Sequence, residues 1–160
     1  MRLVLIVPVA LALLLGAAAP AGAAEAPSRV EYVAQLERIC KPDSEATQRA
    51  VRGTRADVRS ERLRRAAGKV GKAQRIFAGT VRKIAKVPRP TADGPTLKRW
   101  FAALDRETAA LGRTARTLRE DDVARFQRVW ADFIHEGNKA NNVVVSFGFD
   151  YCNFKPSRFV

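Results

Sequence analysis

Apolar residues recur at intervals of three and four along nearly the whole chain beyond residue 25, and nowhere do they alternate in twos for long. A helix gathers residues so spaced on one face, whereas a half-buried strand needs period two. The spacing therefore predicts an all-α fold. The cleanest run is Leu97, Phe101, Leu104, Thr108, Leu111, Ala115 and Leu118, at strict four-three intervals behind Pro95, a residue suited to a first helical turn. A second run, Leu63, Ala66, Val70, Ala73, Phe77, Val81 and Ile84, predicts a long helix from about 56 to 87. Ala50, Val51 and Val58 point nearly opposite to it at about 100° per residue, so a break is expected near Gly53, with Thr54 and Asp57 forming a capping box.

Ser28 and Glu31 make another capping box, opening a short helix with Val30, Val33, Leu36 and Ile39 inward. Pro42 is expected to end it just after Cys40, leaving Asp43 or Ser44 to cap a second helix. Three prolines and a glycine between Val87 and Pro95 mark the main loop. Asp121 caps the last helix, whose inward seam reads Val123, Phe126, Trp130, Phe133, Gly137, Ala140, Val144 and Phe147, with Gly148 as its stop. Long helices joined by tight loops pack antiparallel, so the expected architecture is an up-down bundle of about four helices. The tail from Asn153 to Val160 reads as a frayed terminus, with Phe154, Lys155 and Phe159 as an alternative docking segment.

No charge occurs between Arg2 and Glu25, and this stretch divides into an apolar half, Leu3 to Leu15, and a small-residue half ending in Ala21-Gly22-Ala23. That is the pattern of a secretory signal peptide over 1–24, cleaved near Ala23 or Ala24, leaving 25–160 as one domain outside the cytoplasm. Export places the two cysteines, Cys40 and Cys152, where disulfides persist, and they are expected to bond to each other across 112 positions.

The chain carries a net charge of +13. Between Arg49 and Arg89 stand fourteen Lys/Arg against only Asp57 and Glu61, while the rest of the chain beyond Ala24 is neutral. On the long helix Arg64, Arg65, Lys69, Lys72, Arg75, Arg82, Lys83 and Lys86 fall opposite the apolar stripe. Such a ridge attracts polyanions with a strength that falls as salt rises, so its expected partner is an anionic envelope polymer or membrane surface. The alternative is a solvated face without function. Specific nucleic-acid readout is not expected, because no aromatic residues interleave with the cations.

Enzymatic motifs are missing from the sequence: there is no phosphate-binding glycine loop, no dinucleotide fingerprint and no H-E-x-x-H. His135 is the single histidine, read as exposed, and with both cysteines in a disulfide no zinc ligand set remains. No cofactor and no enzymatic activity are expected. Asn138 and Asn141 stand beside Gly137 near the inward seam, where buried amides need partners. They are either hydrogen-bonded where helices approach closely or the polar floor of a small ligand site.

The ends of the chain carry one resemblance. Arg38-Ile39-Cys40-Lys41, with Gly137-Asn138-Lys139-Ala140-Asn141 leading into Phe147-Gly148-Phe149-Asp150-Tyr151-Cys152, resembles a group of small exported actinobacterial helical proteins with one early and one late cysteine. The resemblance implies an exported helical bundle with a Cys40–Cys152 bond and implies no activity. This chain departs from the group in lacking a lipobox cysteine and in its strongly basic middle.

Overall fold

The computed structural model describes residues 25–156; the expected leader and the last four residues, including Phe159, lie outside them. Helices α1 (Arg29–Val51), α3 (Leu63–Ile84), α4 (Gly94–Arg119) and α5 (Val123–Val143) form the bundle, with a short α2 (Thr54–Arg59) at the corner between α1 and α3. There is no strand among the described residues. Each long helix packs on the next, α1 on α3, α3 on α4 and α4 on α5. The pairings run in opposite directions along neighbouring helices: Arg29 at the start of α1 meets Asp93 beyond the end of α3, while Asp43, further along α1, meets Thr80 and Lys83 earlier in the chain. Likewise Arg106 meets Glu136, while Leu118, further along α4, lines one cleft with Phe126, earlier on α5. The bundle is therefore up-down and antiparallel.

The expected Ser28 box opens α1: the Ser28 amide donates to Glu31 Oε2 at 2.9 Å, and the Ser28 hydroxyl accepts from the Glu31 amide. Pro42, however, does not end the helix, which runs on to Val51. An internal proline forfeits one backbone bond, but the buried face of Leu36, Cys40, Thr47 and Val51 continues across it. Asp43 does not cap a new helix either. Its carboxylate accepts from Thr80 Oγ1 and Lys83 Nζ on α3, both at 2.8 Å, pinning the helix beyond the proline.

The break at Gly53 is where the sequence puts it, with φ at +75°, a conformation that favours glycine. A second, unexpected break separates α2 from α3, with Glu61 also at positive φ, so the long helix begins at Leu63 and not near 56. The apolar stripe of α3 from Ala66 to Ile84 is buried as expected. On α5 the Asp122 carboxylate, not Asp121, caps the helix by accepting from the Arg125 amide at 2.8 Å.

The α5 seam is only half right. Phe133, Gly137 and Ala140 are buried, yet Val123 is 51% exposed and Phe126 and Trp130 are half-covered. The first half of α5 thus packs on the core less completely than its second half, with Phe126 and Trp130 only partly buried against it. The tail corrects the expectation of fraying: Phe154 is buried with its ring 4.6 Å from that of Phe77, and Pro156 is buried too.

Cys40 and Cys152 form the expected disulfide, which ties α1 to the segment after α5. One turn before Cys40, the Glu37 carboxylate accepts the backbone amides of Asp150, Tyr151 and Cys152 at 3.0 to 3.3 Å. Lys41 covers the Tyr151 ring. A single face of α1 thus grips the segment that brings Cys152 to Cys40. No described helix is long and apolar enough to cross a membrane.

Candidate functional site

The eight cations assigned to the ridge divide into two groups. Asp57 on α2 is almost fully buried, and Lys69 Nζ reaches its Oδ2 at 2.5 Å, Arg62 Nε its Oδ1 at 3.0 Å, and Arg65 Nε its Oδ2 at 3.6 Å. These partners, Lys69 foremost, hold the Asp57 carboxyl below the usual carboxylate range against the opposing cost of burial. Asp57 therefore does not serve in a Thr54 capping box; it fastens α2 to α3. The Lys69 ammonium also lies 3.3 Å from where a Cβ on Gly53 would sit, a second reason for glycine there. Lys83 is likewise taken by Asp43.

Arg64, Lys72, Arg75, Arg82 and Lys86 remain, all exposed and with no acidic partner among the described residues. They do not stand alone. Arg119 Nη2 lies 3.1 Å and Arg75 Nη1 3.7 Å from the point where a Gly71 side chain would begin. Two guanidinium groups from α3 and α4 converge there over a bare stretch of backbone. Arg116 lies beside them, near Gly112 and Gln74. The cationic face is thus shared between two helices, a point missed in the sequence because the chain beyond Ala24 is neutral in total outside 49–89, although α4 itself carries six Lys/Arg against Asp105 and Glu107. The detectable signal was the run Arg113, Arg116 and Arg119 at three-residue spacing at the C-terminal end of α4.

The asparagine pair does not come together. Asn138 is exposed; Asn141 Nδ2 donates to the Phe154 carbonyl at 3.0 Å, tying the tail to α5. What packs against Gly137 is instead the tail and a carboxyl group: a Cβ there would collide with Pro156 and stand 2.8 Å from Glu107 Oε1. Glu107, which sequence reasoning passed over, is 1% exposed and neither oxygen has a hydrogen-bond partner among the described residues. Burial pushes its carboxyl well above the usual range, and the Glu136 carboxylate adds to the effect. Glu136 itself is held low by hydrogen bonds from Arg106 and Lys139. Tyr32 is also fully buried with an unpartnered hydroxyl, and burial moves it up to about 12.

His135 is exposed, and no group of acidic, histidine or cysteine side chains among the described residues is arranged to hold a metal ion. Comparison of the chain with protein-family models, curated proteins and solved structures returned no match.

Proposed function

We propose that this is an exported helical bundle that binds anionic envelope polymer or an anionic lipid surface through the cationic face of α3 and α4. The observation that carries the reading is the convergence of Arg75 and Arg119 over Gly71, flanked by Lys72, Arg116 and Arg82 with no carboxylate among them. Like charges brought together on a surface raise the local positive potential, and a polyanion relieves that repulsion while releasing its own counterions. The disulfide supports export, since such bonds persist in oxidising compartments, and the uncharged stretch from Leu3 to Ala24 reads as the address.

The test is sedimentation of the oxidised protein with phosphatidylglycerol vesicles, phosphatidylcholine vesicles and a polyphosphate-backbone polymer over a salt series. Binding to anionic material alone, lost steeply as salt rises, is expected. In Lys72→Gln/Arg75→Gln/Arg119→Gln the salt dependence flattens while helicity by circular dichroism is unchanged. Equal retention of this variant and the parent protein would overturn the reading.

A further inference from the structure

The first half of α5, which covers the core only in part, leaves a groove between itself, α2 and α4. A cleft of about 220 Å³ is lined by Val58, Val70, Leu118, Phe126 and Trp130, and a second of about 480 Å³ continues from it across Val58, Leu118 and Phe126. The lining of the smaller cleft is mostly apolar, with Thr54 and Thr114 among it. Arg55 and Arg59 stand exposed at its edge with no acidic partner among the described residues. Two free guanidinium groups beside an apolar trough are complementary to one kind of molecule.

We infer that this groove binds a single amphipathic anion: an unbranched aliphatic chain lying on Phe126, Trp130, Val70 and Leu118, with one terminal anionic head held by Arg55 and Arg59. The guanidinium forks suit a carboxylate or a phosphate equally. Charge keeps the head at Arg55 and Arg59, because Arg59 lines both clefts while the remaining charged residues of the larger one, Glu61, Asp121 and Asp122, repel an anionic head. This site lies at the α2 corner and does not depend on the Arg75–Arg119 face.

Trp130 supplies the reporter, since the other tryptophan, Trp100, is fully enclosed in the core. The oxidised protein is titrated with ω-bromoundecanoate below its micelle-forming concentration, and quenching of tryptophan fluorescence by the bromine atom is followed. Saturable quenching is expected, lost in Trp130→Phe and weakened roughly ten- to hundredfold in Arg55→Gln/Arg59→Gln, the range that charge-assisted hydrogen bonds command. Undecyl phosphate competing as well as undecanoate means that any single anionic head is accepted; competition by one alone names the head. Three results would overturn the inference: no quenching, quenching unchanged in the double arginine variant, or competition by undecanol as strong as that by undecanoate. The Lys72→Gln/Arg75→Gln/Arg119→Gln variant keeps full quenching, so loss of vesicle binding and loss of this site are read separately.

Discussion

Three carboxylates are buried among the described residues, Asp57, Asp93 and Glu107, and the first and last of them are treated in opposite ways. At the α2–α3 corner Asp57 is enclosed by Lys69, Arg62 and Arg65 and stays ionised. Under the C-terminal tail Glu107 lies against Gly137 and Pro156 with no cation on it, and burial pushes its carboxyl well above the usual range. Asp93 is neutralised like Asp57, by Arg29, and near Glu107 the cations Arg106 and Lys139 are taken by Glu136. Charge pairing thus fastens the corner at Asp57, while the tail side over Glu107 is closed by packing and a covalent bond.

The pH dependences follow with opposite signs. Asp57, with a depressed folded value, contributes stability above its unfolded value of about 4 and loses it as pH falls through the folded value. Glu107, with a raised folded value, contributes most below its unfolded value of about 4.3 and less as pH rises toward the folded one. For these two groups alone both contributions are present together near pH 4, around their unfolded values.

The contrast breaks most completely if the tail side is opened. Removing the disulfide in Cys40→Ser/Cys152→Ser frees a 112-residue separation and costs about 4 to 5 kcal/mol in the loop-entropy account, read as a large fall in denaturation midpoint. On the other side, Asp57→Asn leaves Lys69, Arg62 and Arg65 facing one another; melting temperature at pH 7 drops, by less than for the disulfide, and the gap to the parent protein closes as the solution is acidified below about pH 4. Gly137→Ala drives a methyl group into Pro156 and Glu107, an overpacking worth roughly 1 to 3 kcal/mol, and chemical denaturation gives its size. The smallest effect sharpens the comparison: Glu107→Gln, which no longer has to hold a proton, melts higher than the parent at pH 7 and level with it near pH 4, moving the stability optimum toward neutrality. A Glu107→Gln protein that melts lower at every pH would mean that the carboxylate has an ionic partner after all.

Much of the fold was legible because helices declare themselves locally. The four-three spacing of Leu97 to Leu118 and the stripe from Ala66 to Ile84 identify α4 and α3, and the two cysteines of the sequence have only each other. What escaped depends on partners distant in sequence. Pro42 stays helical because Thr80 and Lys83 hold Asp43 from the facing helix, a tertiary override of a local rule. Glu107 occupies a second four-three seam, with Trp100, Leu104, Leu111, Thr114 and Leu118 all buried, but an ionisable residue is read as solvated unless its surroundings are known. The candidate face was half legible: the basic run identified α3, and only the fold brings Arg119 to Arg75 and spends Lys69 and Arg65 on Asp57.

The bond between Cys40 and Cys152 also sets how the molecule carries tension. α3, α4 and α5 all lie within the closed ring. A pull applied at the two ends of the chain passes from Cys40 directly to Cys152 through sulfur, so the helices inside bear none of it. Only the first half of α1 and the residues after Cys152 can be drawn out, and the cationic face and the groove beside Trp130 keep their shape under load.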